Sequence, residues 1–258
     1  MNQQDDVYSS GSALFWAVKG GYLDVVNRLL SAGADPTAHG RWYEAHITIL
    51  AEACMGKSAP VVRALLEAGA DVHKYSRFRE NNEPPIHTAA RCGSVDMIRV
   101  LVEHGADVNQ QIKEGWTALH KAAGRRGEVQ IVGTLLFEFH ADPSLALING
   151  SLPIHTAASW NNPECIQVLI QAGSDINARN KSGRTPLHWA AFYRATNAIE
   201  WLLGNGADDG LEEYETNMTA RDYAELRVLK AESWEKDEEA KVLRMFDDRM
   251  QERNAYVG

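Results

Sequence analysis

Thr185-Pro186-Leu187-His188-Trp189-Ala190-Ala191 is the clearest copy of a heptapeptide that recurs along this chain of 258 residues. Other copies begin at five earlier positions, which are Ser12, Thr48, Pro84, Thr117 and Leu152. The last three of these keep the histidine at the fourth position and the two alanines at the end, whereas the first two are looser. Recurrence of a short motif at near-regular spacing predicts a repeat architecture.

A second marker, Gly-Ala-Asp, keeps step with the heptapeptide. It begins at residues 33, 69, 105, 140, 173 and 206, and two copies vary, with His140 for glycine and Ser174 for alanine. Successive copies lie 36, 36, 35, 33 and 33 residues apart. The two markers together predict six repeat units between about residue 7 and residue 210.

Each unit reads as a pair of helices. A small polar residue followed by proline is typical of a helix start, and an apolar residue followed by two alanines gives a short helix with a small face. A second stretch, such as 95–102, carries apolar residues at the helical spacing. The glycine of the second marker then ends that helix, and the aspartate begins a turn. One such unit cannot bury its apolar stripe alone, but stacked units can.

These two markers, at a period near 33 residues, resemble those of the ankyrin repeat family over about 200 of the 258 residues. The resemblance implies an all-α solenoid in which helix pairs with hairpin-like turns stack side by side. We expect six repeats, a partial seventh that begins at Thr219, and a charged helical C-terminal cap. The resemblance also implies that the turns and first helices line a concave surface for a partner protein.

The sequence thus divides into three predicted parts: a polar N-terminal segment at 1–11, a repeat domain at 12–210, and the partial seventh repeat with its cap at 211–258. The cap region holds 13 acidic and 8 basic residues. Intervals longer than 33 residues place extra residues in the turns near residues 41–44 and 75–79, and a smaller excess near 145–147. His140 in place of glycine means that its helix must end under strain or in a different way.

Composition excludes several functional classes. With a net charge of −9, the chain is a poor candidate for binding nucleic acid or an anionic membrane. The sequence contains no apolar stretch long enough to span a bilayer, and its acidic start does not resemble a signal peptide. Three cysteines, 38 and 73 residues apart, favour reduced thiols over disulfides or a zinc site. We therefore expect an intracellular, cytoplasmic or nuclear protein that is monomeric on its own.

Nothing in the motifs indicates an enzyme, so we predict no catalytic, cofactor-binding or metal-binding residue. One histidine stands at the same phase in four repeats (His87, His120, His155 and His188). Ligands of one metal must converge on one point, whereas these residues lie one per repeat, so the pattern favours a repeated hydrogen bond between turn and helix. The segment Met55-Gly56-Lys57-Ser58 has Ala51 where a phosphate-binding loop needs glycine.

Positions next to the first-helix motif face the groove in the family, and this resemblance predicts partner-binding residues here. They are Arg91, Trp116, Lys121, Arg125, Trp160, Trp189, Phe192 and Tyr193. The long turns give a second predicted patch with Trp42, Tyr43, Tyr75, Arg77 and Phe78. Large aromatic residues and arginine dominate many protein interfaces. The cations at 91, 121 and 125 favour a partner with an acidic patch.

Asn109 and Asn177 resemble the asparagines that asparaginyl hydroxylase modifies in ankyrin repeats, and we predict them as modification sites. The alternative is that both residues only form turns. For the whole chain we expect a non-enzymatic adaptor or scaffold that binds a partner protein through the groove and the extended turns. Two alternatives stay open: a regulatory subunit or inhibitor of an enzyme, and an enzyme whose chemistry lies in the insertions or the C-terminal region.

Overall fold

The first-helix motifs and the second-helix stretches form successive antiparallel helix pairs. The computed structural model describes residues 12–42, 45–78, 81–92, 94–124, 129–230 and 236–257. The helices are α1 (Ala13–Lys19), α2 (Leu23–Ser31), α3 (Ile49–Met55), α4 (Ala59–Glu67), α5 (Pro85–Cys92), α6 (Val95–Glu103), α7 (Ala118–Ala123), α8 (Val129–Gly133), α9 (Pro153–Ser159), α10 (Pro163–Gln171), α11 (Pro186–Phe192), α12 (Thr196–Gly204), α13 (Ala220–Lys230) and α14 (Lys236–Val257). The predicted all-α repeat fold is confirmed.

Local chemistry at the ends of the helices explains why the pairs form. At the start of α1 the side-chain oxygen of Ser12 accepts a hydrogen bond from the backbone N–H of Phe15, and Thr48 does the same for α3. At the end of α10, Gly173 has a φ of 94°. This left-handed conformation suits glycine and closes the helix, with the N–H of Ser174 donating to the carbonyl of Leu169 at 3.0 Å.

Two β-hairpins account for the first two long intervals. Strand β1 (His39–Trp42) pairs antiparallel with β2 (Ala45–Thr48), and β3 (Ser76–Phe78) pairs with β4 (Asn81–Glu83). The buried hydroxyl of Ser76 accepts a hydrogen bond from the N–H of Thr48, 3.1 Å away, and so joins the second hairpin to the start of α3. The extra residues of these two turns therefore extend the hairpins, as the sequence predicts.

The third long interval differs from the prediction. One extra residue lies within the helix that begins with α8, which continues as a π-helical turn at Thr134–Glu138. The N–H of Ala141 accordingly bonds the carbonyl of Leu135, one residue further back than in the other repeats. The expected excess near residues 145–147 is wrong. His140 adopts a φ of 53°, so the helix end keeps its left-handed residue without a glycine.

The recurring histidines link each repeat to the next. The Nε2–H of His155 donates to the carbonyl of Arg184 at 3.1 Å, and its Nδ1 accepts from the N–H of Leu152. His87 and His188 make the same link to the carbonyls of Trp116 and Met218. Burial lowers the pKa of His87 and of His155 to about 4, so both rings are neutral. The predicted structural role of these three histidines is confirmed.

The seventh repeat begins as the earlier ones do, with an aspartate in place of the histidine. Both the N–H and the hydroxyl of Thr219 donate to the carboxylate of Asp222, at 2.8 and 2.7 Å, and α13 follows. Val242 and Phe246 of α14 are buried, which accounts for the apolar positions of this charged helix. A partial seventh repeat and a charged helical end are therefore present.

By its internal contacts the chain divides into two compact units. Unit 1 comprises Met1–Lys121 with Glu138–His140, and unit 2 comprises Ala122–Phe137 with Ala141–Gly258. Each unit has its own apolar core, for example around Leu65 and Leu101 in unit 1 and around Ile166 and Leu202 in unit 2. Within the described ranges, none of the helices combines the length and the apolar character that crossing a bilayer requires.

Candidate functional site

In unit 1, the predicted cations gather around a buried carboxylate. Glu83, at the end of β4, is 2% exposed, and its Oε1 accepts hydrogen bonds from Nε and Nη2 of Arg91 at 3.1 and 2.9 Å. Its Oε2 lies 3.3 Å from Nζ of Lys121. Two cations and one carboxylate leave this cluster with a formal charge of +1 (2 − 1). Glu83 therefore balances one of these two positive charges, and the three side chains come from two successive repeats.

Trp116 completes this cluster. Its ring centroid lies 4.9 Å from Nζ of Lys121, which is cation–π distance, and 5.8 Å from the ring of His120 in an edge-to-face arrangement. The indole is half-buried. The structure therefore brings Arg91, Trp116 and Lys121 together through Glu83, as a polar surface in which one carboxylate pairs with both cations.

In unit 2, the predicted aromatic residues cluster and stay accessible. Trp189 and Tyr193 stack with their ring planes 11° apart and their centroids 5.7 Å apart. Phe192 meets Tyr193 edge-to-face at 5.1 Å and Tyr223 at 5.9 Å. Phe192 is 44% exposed and Tyr193 is 51% exposed. Together with Arg184 and His188, these four rings line a cavity of about 240 Å³.

Trp160 lies at the end of α9, at the position that Tyr193 occupies at the end of α11. It is 56% exposed. One edge of its indole lies against Gly124, where a Cβ would come within 3.3 Å of the ring. The ring therefore contacts the backbone at Gly124 along one edge, while more than half of the side chain stays exposed to solvent.

Arg184, which lines the cavity, forms an ion pair with a buried glutamate. The Nε of Arg184 donates to Oε2 of Glu213 at 2.8 Å, and the Glu213 side chain is 0% exposed. Burial alone raises the pKa of Glu213, but hydrogen bonds from Thr216 and Arg184 outweigh it and hold that pKa below its ordinary value. The guanidinium of Arg184 also lies 5.5 Å from the ring centroid of Tyr223. The carboxylate therefore stays ionised and fixes the arginine.

Glu213 and Tyr223 are missing from the predicted site residues, although one signal for Tyr223 is present in the sequence. Tyr223 follows Thr219 by four positions, as Trp189 follows Thr185, so it occupies the same phase of the next repeat. Glu213 lies in the turn before the seventh repeat, and no marker singles it out. Sequence reasoning found the first-helix positions but not the turn residue that pairs with one of them.

The second predicted patch can be described only in part. Tyr75 is 43% exposed, and its hydroxyl accepts a hydrogen bond from Nε2 of Gln110 at 3.0 Å. Trp42, Arg77 and Phe78 lie in the hairpin strands, but their side chains are outside the described part of the structure. Tyr43, and Arg125 of the first patch, lie outside the described residues altogether.

The two predicted modification sites lie in turns. The N–H of Asn109 donates to Oδ1 of Asp107, and the N–H of Asn177 donates to Oδ1 of Asp175, both at 2.9 Å. The side-chain oxygen of Asn177 also accepts from the N–H of Asp208 at 2.9 Å. These bonds account for both residues as turn formers, and modification stays a prediction.

Groups that could support catalysis are not assembled in the described residues. In the ranges that the structure describes, His, Cys, Asp and Glu form no cluster of three or more that could hold a metal ion. Burial raises the pKa of the Cys54 thiol, and Cys165 is also buried, so neither is placed as a nucleophile. What the described surface offers is aromatic and charged side chains on a rigid scaffold.

Comparison with known families accounts for this scaffold. Residues 50–146 and 123–212 match the family model for ankyrin repeats in three copies, and residues 12–41 match the model for the single ankyrin repeat. Among solved structures, the ankyrin repeat domain of Bcl-3, from the IκB protein family, matches 92% of this chain and 99% of its own with a TM-score of 0.67 and 26% identity. The human ASB11 ankyrin repeat domain, at 24% identity and a TM-score of 0.70, shares the fold over 83% of this chain and 91% of its own.

Among relatives, human SH3 and multiple ankyrin repeat domains protein 2 is 34% identical over 97 residues, which cover 37% of this chain. Arabidopsis thaliana E3 ubiquitin-protein ligase KEG is 34% identical over 104 residues, or 38% of this chain. The matches span 5% and 6% of the lengths of those two proteins. Human protein phosphatase 1 regulatory subunit 27 is 29% identical over 111 residues, which are 41% of this chain and 71% of that protein.

Proposed function

The chain belongs to the ankyrin repeat family, whose repeats are protein-interaction modules, and from this we propose that it is a non-enzymatic adaptor. Its partner protein binds across the first-helix face of unit 2, at Trp160, Trp189, Phe192 and Tyr193. These four residues are called the aromatic face below. The extended turns of unit 1 give the partner a second contact.

The observation that carries this proposal is the exposure of the aromatic face. Trp160, Phe192 and Tyr193 are each about half exposed, on helices that the repeat fold holds in place. Soluble proteins seldom leave such a group of large aromatic rings uncovered unless a partner covers it. Tryptophan and tyrosine anchors often contribute about 2 kcal/mol or more each to binding.

Rigidity of the face supports the same proposal. Trp160 lies against Gly124, and Tyr193 stacks on Trp189, so each ring already has a packing partner in the unbound protein. A side chain that is already ordered loses little conformational entropy on binding. The aromatic face can therefore bind as a preformed surface.

The regulatory-subunit alternative is the second candidate. One relative that this chain covers over most of its length, protein phosphatase 1 regulatory subunit 27, is by name the regulatory subunit of an enzyme. An adaptor of this kind would use the same aromatic face to hold an enzyme. The family is generally non-catalytic, and the ligase relative shares only 6% of its length with this chain.

An intracellular location and a monomeric chain are further parts of the proposal. The intracellular location is supported by Cys54, Cys92 and Cys165, which form no disulfide with one another.

Capture from native lysate tests the proposal. The full chain with Trp160→Ala and Phe192→Ala should lose at least about 30-fold in partner affinity, since two anchors are removed. Tyr22→Ala is the matched control, because Tyr22 is an aromatic residue of unit 1 that is 63% exposed and is not one of the four residues of the aromatic face. Helical circular dichroism should be unchanged in all variants. Unchanged capture by the folded double variant would remove the aromatic face from the interface.

A further inference from the structure

The part of unit 2 around the cavity is unusually basic for this acidic protein. Between Asp175 and Glu200 the chain carries Arg179, Lys181, Arg184 and Arg194 and not one acidic residue. The whole chain has a net charge of −9. This stretch, called the basic segment below, includes helix α11 and the turn before it, and therefore most of the cavity lining.

The charges of the basic segment act at the cavity. Burial lowers the pKa of His188, a cavity-lining residue; the hydrogen bond to Met218 and the negative charge of Glu213 raise it, and the positive charges of Arg179 and Arg184 lower it. Arg184 is 35% exposed although it pairs with Glu213. Arg179 is exposed, with its guanidinium 5.3 Å from the ring centroid of Tyr214. Unit 1 differs, because there both cations, Arg91 and Lys121, pair with the one buried carboxylate of Glu83.

The cavity itself has the size and chemistry for one apolar side chain. Sites for drug-sized molecules are generally about 300–1,000 Å³, and this cavity of about 240 Å³ is smaller. Four of its six lining residues are aromatic. One of them, Trp189, has a buried Nε1–H with no acceptor in the part of the chain that the structure describes. That nitrogen is closed to solvent, so it does not decide which side chain the cavity takes.

We propose that this cavity binds a single aromatic or aliphatic side chain from an acidic segment of a partner protein, in which neighbouring aspartate or glutamate residues face the basic segment. The inference rests on the proposed function and adds to it the chemistry of the partner. The aromatic walls hold the apolar side chain, and the arginines and lysine select the acidic neighbours. A single-stranded nucleic acid offers stacking bases and negative charge too, but the acidity of the whole chain opposes its approach.

The test is selection from a random peptide library displayed on phage, with the full-length chain as bait. Selected peptides should have a net negative charge and one central aromatic or aliphatic residue. The best peptide, labelled with a fluorophore, is then titrated with the chain and with three variants. Neutral or basic selected peptides, or no selected peptide, would overturn the inference.

Charge reversal and cavity removal then locate the contact. Arg179→Glu, an exposed change that should leave folding intact, should weaken the best peptide by about fivefold or more at low salt and less at high salt. Tyr193→Ser should weaken it by about tenfold, because one wall of the cavity is removed. Lys113→Glu, the same reversal at an exposed lysine of unit 1, should change affinity by less than about twofold.

Two outcomes separate this inference from the proposed function. If Trp160→Ala with Phe192→Ala abolishes partner capture while Arg179→Glu leaves the peptide bound, the aromatic face binds a partner but not an acidic one, and the inference is wrong. If a labelled single-stranded oligonucleotide binds as tightly as the best peptide and competes with it, the basic segment recognises phosphate, and the inference is again wrong. Retained capture by the double variant rejects the proposed function instead.

Discussion

Equivalent repeat positions carry different side chains in the two units, so the two first-helix faces differ in surface chemistry. Just before the first helix, unit 1 has Glu83 in its third repeat, and unit 2 has Arg184 in its sixth. Eight positions further on, unit 1 has Arg91 where unit 2 has Phe192. The result is a surface with paired charges in unit 1 and an exposed aromatic face beside a basic segment in unit 2.

This difference shows that one scaffold can carry two kinds of surface without altering its helices. Both carboxylates are buried and both bind arginine. Glu83 pairs with Arg91 of the helix that follows it and with Lys121 of the next repeat, whereas Glu213 lies in a turn 29 residues after its partner Arg184. In unit 2 the carboxylate that pairs with arginine, that of Glu213, therefore lies outside the first-helix positions. Trp189 and Phe192 occupy those positions in α11.

The first prediction, which has the largest expected effect, tests whether the two units also differ in how a buried histidine affects their stability. His87 of unit 1 and His155 of unit 2 both have pKa values near 4, lowered by burial from 6.5. The unfolded chain binds a proton on each ring below pH 6.5, but the folded chain does so only near pH 4. Stability is therefore complete above pH 6.5 and falls as the pH decreases to 4. Between pH 7 and pH 5 each histidine should lower the free energy of unfolding by about 2 kcal/mol.

Urea unfolding at the two pH values, monitored by circular dichroism, measures this loss. His87→Gln and His155→Gln should each remove about 2 kcal/mol of this loss, although both variants start from lower stability at pH 7. An unaltered pH dependence in only one variant would show that its histidine binds a proton as readily in the folded chain as in the unfolded chain, and that the two units differ in more than their surfaces.

The second prediction compares the two buried carboxylates. Glu213→Gln should destabilise the chain by about 2 kcal/mol, because the charged hydrogen bonds from Arg184 and Thr216 are lost in a fully buried place. Glu83→Gln should lower stability by only about 1 kcal/mol, because Glu83 accepts one long hydrogen bond from Thr88, at 3.4 Å, where Glu213 accepts two from Thr216. Chemical denaturation of both variants at pH 7 gives the two values. Equal losses, or the reverse order, would contradict this account.

The third prediction, which has the smallest expected effect, concerns the left-handed residue that ends each second helix. We expect that glycine can take this position in any repeat. His140 has a φ of 53° where Gly173 has a φ of 94°. A side chain is unfavourable in this conformation, so His140→Gly should stabilise the chain by about 0.5–1 kcal/mol. Thermal unfolding measures the change, and Gly173→Ala is the matched control, which should lower the melting temperature. A melting temperature reduced by His140→Gly would mean that the imidazole makes a needed contact.

Most of the fold could be predicted from the sequence because its determinants are local. Capping by Ser12 and Thr48 acts over three residues, and the closing glycines act over five. Such signals survive in a single sequence, and six copies in phase reinforce one another. The π-helical turn after α8 could not be predicted in this way. An extra residue between two markers can enter a turn or a helix, and only packing decides which.

The candidate site was predictable only in part. The phase of the repeat found Trp189, Phe192 and Tyr193, which the structure brings into contact. The pairing of Arg91 and Lys121 with Glu83, and of Arg184 with Glu213, depends on which side chains meet across repeats, and periodicity does not give that information. Whether any of these residues contacts a partner stays a prediction.

The histidine hydrogen bonds between repeats also limit where residues can be inserted into the chain. His87, His155 and His188 each reach a carbonyl 29 or 30 residues ahead, so the length of the intervening backbone is fixed. The two repeats followed by hairpins have Phe15 and Ala51 at that phase instead. Grafted loops should accordingly be tolerated after the first and second repeats, and disrupt the stack after the third, fifth or sixth. The repeats that lack the imidazole therefore mark the positions at which a longer recognition loop can be engineered.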